Sequence, residues 1–253
     1  MKKLLTKLIR KIFPLTYSLD GLKGLAMATN APGDLDRLGV DWWYVWGARD
    51  TDDERYVPMT RDWSVPNIPA DTPYLLVGNE PNAYEPFGHT MSSKYAVERV
   101  VAIQDAYPDT FLIVGNVSYD NWYPKFYRKF LGMGNGVQWL NDFLGHYKRI
   151  TGKTFDQGIG VHSYPDSYKK GKGQLLKYRR VYDGVMWLTE ANLAQNEIDP
   201  VQFGDFFELA GQLFDRYACY TNKQDGSGSS LPFPMDLCND TGLTEIGEVY
   251  ASL

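Results

Sequence analysis

The chain has 253 residues, 43 % of them apolar and 23 % charged, which suits one large domain or two small ones with a sizeable core and excludes a disordered or fibrous chain. Its net charge of -5 sets aside a general nucleic-acid binder, which would carry a basic excess. Aromatic residues reach 15 %, enough both to fill a core and to supply stacking surfaces for a flat, hydroxylated ligand.

The amino terminus reads MKKLLTKLIRKIFPL. Leu4, Leu5, Leu8, Ile9, Ile12 and Phe13 share one helical stripe, and Lys2, Lys3, Lys7, Arg10 and Lys11 share the other. Charges interrupt the apolar run, so neither a cleavable secretory signal nor a membrane span is read here. Two readings stay open for residues 1–14: a basic amphipathic helix on an anionic membrane surface, or an outer helix packed on the domain. A cytoplasmic or membrane-surface location is expected over a secreted one. Pro14 ends the segment, and residues 15–253 are expected to form one domain. Cys219 and Cys238 are too few for a disulfide framework or a four-ligand zinc site, and sequence alone leaves them bridged or reduced.

Short apolar strands then recur, several of them continuously apolar as parallel strands buried on both faces are. The candidates are Leu25–Thr29, Asp41–Ala48, Tyr56–Met59, Tyr74–Gly78, Phe111–Asn116, Ile159–Tyr164, Val185–Thr189 and Tyr217–Thr221. Helices lie between the later ones. Ser93 to Tyr107 puts Val97, Val100, Val101 and Gln104 on one face, with Ser92 or Ser93 as cap. Val137 to Tyr147 repeats Val137, Leu140, Leu144 and Tyr147 before Gly152. Asp199-Pro200 opens a stripe of Phe203, Phe206, Phe207, Ala210, Leu213 and Phe214, read as core. Eight strands with intervening helices predict a (β/α)8 TIM-type barrel. Strands two to four start too close together for full units of about 30 residues, so one or two early helices are expected to be reduced to loops.

In such a barrel the carboxyl ends of the strands carry the chemistry. Leu75-Leu76-Val77-Gly78 runs into Asn79-Glu80-Pro81, and Val185-Met186-Trp187-Leu188-Thr189 runs into Glu190. A lone glutamate at a strand end is ordinarily a solvated loop residue. Two of them on a shared mouth suit glycoside hydrolysis, one as protonated acid and one as ionised nucleophile. Between them, His162 and Tyr164 point to one side of a period-two strand, where either could orient a carboxylate. Trp46 ends the aromatic second strand and faces the mouth, whereas Trp42 and Trp43 are expected below or outside. Asp120, Asn121 and Trp122 follow the fifth strand, and Asn222–Asp240 reads as a loop over the same face. His89 and His146 have no partner at metal-ligand spacing. There is no phosphate-binding glycine loop and no nucleophile elbow.

The order Asn79-Glu80-Pro81, His162-Ser163-Tyr164, Trp187-Leu188-Thr189-Glu190 resembles clan A retaining glycoside hydrolases. More narrowly it is similar to the Asl1-like glycosyl hydrolase catalytic core, glycoside hydrolase family 128. The likeness extends to Gly24-Leu25-Ala26, to Trp42-Trp43-Tyr44-Val45-Trp46, to Arg216-Tyr217-Ala218-Cys219-Tyr220-Thr221 and to the closing segment Leu243–Ala251, and so covers about residues 22 to 253.

The resemblance implies a small barrel with few early helices, a polysaccharide or oligosaccharide substrate, and no cofactor or metal. A monomer is expected. The first expectation is an endo-acting β-1,3-glucanase; a clan A hydrolase of another glycan and a non-catalytic carbohydrate-binding barrel are the alternatives. It makes Glu80 the general acid/base and Glu190 the nucleophile. Asn79 would hydrogen-bond the sugar 2-hydroxyl, Tyr164 would donate to Glu190, and His162 would be a neighbour in the site. The family's eighth strand usually carries a tryptophan floor for the sugar. Cys219 stands at the place expected for it here, and Trp46 and Tyr220 are the rings expected to take over the stacking.

Overall fold

The computed structural model describes residues 22–83, 88–119, 135–224 and 233–253. Eight parallel strands lie in the order β2-β1-β8-β7-β6-β5-β4-β3. They are β1 (Leu22–Ala26), β2 (Trp42–Tyr44), β3 (Met59–Thr60), β4 (Tyr74–Val77), β5 (Phe111–Ser118), β6 (Gly158–Ser163), β7 (Met186–Ala191) and β8 (Arg216–Tyr220). The open edge between β2 and β3 is bridged by the chain leading into β3. Trp43 pairs with Tyr56, donates its N–H to Arg55, and accepts one from Val57. The result is a nearly closed (β/α)8 barrel, as the strand pattern predicts.

Among the described residues the helices are α1 (Pro32–Leu38), α2 (Ser93–Ala106), α3 (Gly136–Thr151), α4 (Tyr168–Arg179), α5 (Pro200–Leu213) and α6 (Glu245–Ser252). No helix joins β2 to β3 or β3 to β4, so the close spacing of the early strands is met by loops. The expected caps form. Ser92 accepts from Tyr95 N–H, Asp199 accepts from Val201 and Gln202, and Gly152 ends α3 in a left-handed conformation. Several readings need correction. The buried face of α3 is Gly136, Trp139, Leu140, Phe143 and Tyr147, with Val137 and Leu144 only partly buried, and the strand read as Tyr56–Met59 forms at Met59–Thr60. The buried face of α2 is Ala96, Val97, Val100 and Ile103, while Val101 and Gln104 lie at its margin. The strand read as Leu25–Thr29 lies three residues earlier, and that read as Asp41–Ala48 shortens to three residues. Helices α1 and α4 have no clean apolar stripe and are not among the helices the periodicity picks out. The basic segment 1–14 and the trio Asp120, Asn121 and Trp122 fall outside the described residues.

Side chains divide between two layers by strand parity. Outward residues such as Leu25, Trp43, Leu75, Val114, Val161, Leu188 and Cys219 lie in the outer layer, in one cluster with the phenylalanine stripe of α5. Inward residues such as Ala26, Trp42, Tyr44, Leu76, Ile113, Trp187, Ala218 and Tyr220 fill the barrel. Its floor is closed by the Arg216 guanidinium, 4.4 Å from the Trp187 ring and 4.5 Å from that of Tyr74. Cys219 and Cys238 are both buried and unbridged.

The closing helix is tied to the barrel by buried polar contacts. The Tyr250 hydroxyl donates to Gly24 O (2.6 Å) and accepts from Cys219 N–H (3.1 Å), and Lys23 Nζ donates to the carbonyls of Tyr250 and Ala251. Replacing Tyr250 by Phe strands both backbone groups in the core. It should lower unfolding free energy in a urea titration by about 1–3 kcal/mol, the cost of an unsatisfied buried group. An unchanged midpoint would show that the tie contributes nothing.

Candidate active site

The mouth of the barrel is built by departures from regular strand geometry. In β7, Trp187 faces inward and Leu188 outward, so simple alternation would aim residue 189, not 190, into the barrel. The pairing of β7 slips against both neighbours at this point, between Val161 and His162 on one side and between Leu188 and Ala191 on the other. Thr189 is the extra residue of this bulge, and the slip turns Glu190 into the mouth. Glu190 therefore lies within β7 rather than beyond its end. A matching irregularity in β5 falls at Asn116, which adopts a left-handed backbone (φ 46°). Bulges that re-aim a side chain are characteristic of strand ends beside active sites.

Asn116 links the strands that carry the two glutamates. Its side chain donates to Val77 O and Gly78 O of the β4 end and accepts from Thr189 Oγ1 (2.8 Å). Its carbonyl accepts from Glu80 N–H (3.0 Å). Two glycines make room for this junction. A Cβ on Gly160 would lie 2.0 Å from Asn116 Oδ1, and one on Gly78 (φ 81°) would lie 2.1 Å from the Trp63 ring. Glu80 itself is left-handed (φ 43°), a turn that aims its carboxyl back across the mouth.

Glu80, His162 and Glu190 meet there, 5 %, 0 % and 7 % exposed. His162 Nδ1 is 3.0 Å from Glu80 Oε1 and 3.7 Å from Glu190 Oε1. One ligand-type atom from each of the three lies within 4.8 Å of the others, so among the described residues this trio could also hold a metal ion. Glu190 accepts from two phenols, Tyr44 (2.9 Å) and Tyr164 (2.5 Å). Burial, then the Glu190 charge, raises both phenols well above their usual pKa, so they stay protonated donors.

The two carboxyl groups sit in different surroundings. Burial pushes the Glu80 carboxyl above the ordinary glutamate range. The hydrogen bond and charge of His162 and a hydrogen bond to Ser118 oppose that rise, and the Glu190 charge adds to it. Burial by itself would lower the His162 imidazole; the Glu190 charge, the bond to Glu80 and the Glu80 charge overcome it and hold the ring above its usual value. A proton is thus shared among groups that could not all be charged in so dry a place.

The structure brings together Glu80, Glu190, His162, Tyr164, Tyr220 and Trp46. Tyr220 touches Trp46 (5.7 Å between centroids) and Tyr164 (6.0 Å), and Trp46 touches Tyr44 (5.6 Å). Asn79 is buried beside Glu80, with its carbonyl accepting from His89 N–H. One expectation is corrected. Cys219 does not occupy the sugar-floor position, because its odd place in β8 turns it into the outer layer, within 3.5 Å of Asn192. Tyr220 is the inward residue. Tyr44 joins the site beyond the residues expected from sequence, on the inward parity of β2 between Trp42 and Trp46. Asn116 gives no comparable signal, because its role depends on a bulge. Neither His89 nor His146 joins the cluster.

Comparison with known proteins gives the family and the fold. A profile of the glycosyl hydrolase catalytic core family matches residues 24–250. A search of curated protein sequences returns no match. Three solved structures share the fold at low identity. One is a GH128 (subgroup II) endo-beta-1,3-glucanase from Pseudomonas viridiflava, with 21 % identity, a TM-score of 0.68, and coverage of 92 % of this chain and 97 % of that one. The second is a GH128 (subgroup IV) endo-beta-1,3-glucanase from Lentinula edodes, with 15 % identity, a TM-score of 0.67, and coverage of 91 % and 99 %. The third is a GH128 (subgroup VII) oligosaccharide-binding protein from Cryptococcus neoformans, with 16 % identity, a TM-score of 0.61, and coverage of 94 % and 96 %.

The electrostatics can be read directly by carbon-13 NMR of labelled glutamate side chains. Glu80 should titrate above free glutamate. Its pKa should fall in Glu190→Gln, which removes the neighbouring charge, and climb further in His162→Gln, which removes a group that favours the carboxylate. A Glu80 resonance indifferent to both changes would contradict the coupling.

Proposed function

We propose that this chain, which belongs to the glycosyl hydrolase catalytic core family, hydrolyses β-1,3-glucan with retention of anomeric configuration, Glu190 acting as nucleophile and Glu80 as acid/base. The observation that carries the reading is the pairing of two glutamates at short range in unlike environments. Retaining enzymes hold their carboxyl groups about 5–5.5 Å apart, whereas inverting enzymes leave about 6.5–9.5 Å for a water. Atoms of Glu80 and Glu190 within 4.8 Å fit the former.

In the first step the Glu190 carboxylate attacks the anomeric carbon, the glycosidic C–O bond breaks, and Glu80 gives its proton to the departing oxygen. In the second, Glu80 takes a proton from water, the water oxygen bonds to the anomeric carbon, and Glu190 is released as carboxylate. Tyr44 and Tyr164, one on each oxygen, hold Glu190 in line for attack. His162 fixes the Glu80 rotamer through Nδ1. Trp46 and Tyr220 offer ring faces beside the pair, and Asn79, adjacent to Glu80, is the partner proposed for the sugar 2-hydroxyl. The β-1,3-glucan assignment and endo action draw on the named activities of the structural neighbours.

A binding-only barrel is the competing reading, since oligosaccharide-binding proteins share this fold. The raised Glu80 and the doubly held Glu190 favour turnover, because a pure binder has no use for a carboxyl group pushed toward its neutral form beside a second one held by two phenols.

Product analysis on β-1,3-glucan, with mannan and xylan as controls, should show oligosaccharides whose initial anomer, followed by proton NMR, is that of the substrate. Glu80→Gln and Glu190→Gln should each cut turnover of the polysaccharide by about 10²–10⁴-fold. Binding without product in the unmodified protein, or full activity in either variant, would sink the proposal. Tyr44→Phe removes one hydrogen bond to a charged group and should lower kcat/KM by roughly 10- to 100-fold with little change in thermal stability.

A further inference from the structure

Beside the catalytic pair, the described residues form a groove of about 510 Å³. Tyr164, the phenol that holds Glu190, stands at one side of it, and the face of α4 forms another. Its charged lining is Asp166, Lys170 and Lys177. Lys170 forms an ion pair with Asp166 one turn away, so these two cancel. Lys177 is different. Its ammonium donates to the Tyr119 hydroxyl (2.8 Å) and sits over that ring, 5.5 Å from the centroid. Among the described residues no carboxylate lies within ion-pair reach of it. An exposed lysine ordinarily leaves its head free in water. This one is held in place by a phenol and a ring, in a protein whose net charge is -5.

The floor of the groove supplies a second, independent observation. Helix α4 carries two interior glycines, the least favourable residue there apart from proline. Packing accounts for Gly171, since a Cβ would lie 2.7 Å from the Phe206 ring and 2.9 Å from Pro165. A Cβ on Gly173, which lines the groove, would meet nothing within 4 Å among the described residues. The missing side chain at Gly173 therefore serves no packing contact within the described chain, and its absence keeps the groove clear beside Lys177.

We propose that this groove is a subsite for an anionic sugar residue of the substrate, with Lys177 as the charge partner. The group it takes is a carboxylate or a sulfate ester on a sugar near the cleaved linkage, so the natural glycan is an acidic or partly acidified glucan. This rests on the reading of the catalytic pair as a hydrolase site.

The test compares three substrates: a neutral β-1,3-glucan, the same glucan partly oxidised at C6 to the carboxylate, and the same glucan sulfated at C6. The chain should prefer one of the charged glucans by about tenfold in kcat/KM at low salt, the size of one charge-assisted contact. The preference should shrink as salt rises, vanish in Lys177→Met and return in Lys177→Arg. Calorimetric binding of oligosaccharides from the three glucans to the Glu190→Gln variant, with and without Lys177→Met, reads the subsite without turnover. Neutral glucan cleaved as well as the charged ones, or a preference that survives Lys177→Met, overturns the subsite and leaves the hydrolase reading standing. No cleavage, but charge-selective binding that depends on Lys177, supports the subsite and overturns the hydrolase reading. Neither cleavage nor selective binding overturns both.

Discussion

Two carboxyl groups and an imidazole, each at most 7 % exposed, crowd the mouth of this barrel, and their desolvation is the constraint that the surrounding structure answers. An isolated charge in such a place is too costly to keep, so the groups must share protons and hydrogen bonds. Glu80 is driven toward its neutral form. Glu190 gains two phenolic donors, one on each oxygen. His162, between them, carries positive charge more readily than an ordinary buried imidazole because both neighbours are acids. The same arrangement that makes burial tolerable gives the two glutamates unlike partners, an imidazole for Glu80 and two phenols for Glu190.

Holding this cluster in register falls to a few backbone departures. Regular strands would send residue 189 of β7 and its counterpart in β5 to the wrong layer. The bulges at Thr189 and Asn116 correct the parity, and the Asn116 side chain joins the β4 end to Thr189. Glycine at 78 and 160 is a consequence: Trp63 and the Asn116 amide already occupy the space a side chain would need. The geometry of the cluster depends on strand ends that are irregular in a defined way, braced by the buried Asn116 and Thr189.

The aromatic residues serve two ends. One set packs outside the strands, where Phe203, Phe206, Phe207 and Tyr250 join the closing helices to the barrel. The other forms a column inside it, from Trp187 and Tyr74 above the Arg216 floor, through Trp42 and Tyr44, to Trp46, Tyr220 and Tyr164 at the mouth. The column runs without a break from the packed bottom of the barrel to its mouth.

Local pattern in the sequence determined the barrel class, the loops in place of early helices, the main caps and both glutamates. Each is written in residues close together in the chain: continuous apolar strands, Ser92, Asp199 and Gly152 at helix ends, and polar residues immediately after strands. Period-two alternation also set His162 with Tyr164 and aimed Trp46 at the mouth, and the same rule would have found Tyr44. Only the tertiary structure decided the rest. Alternation cannot place Cys219 against Tyr220 until the register of β8 is known, and that register is set by neighbouring strands. It cannot see that Glu190 reaches the mouth through a bulge, because the slip exists only relative to β6 and β8. Asn116, a polar residue within an apolar run, becomes a junction only once β4, β6 and β7 come to lie around it. Helix α4 has no apolar stripe to announce it, and the groove along it forms only where its Lys177 comes to rest on Tyr119 of a different strand end.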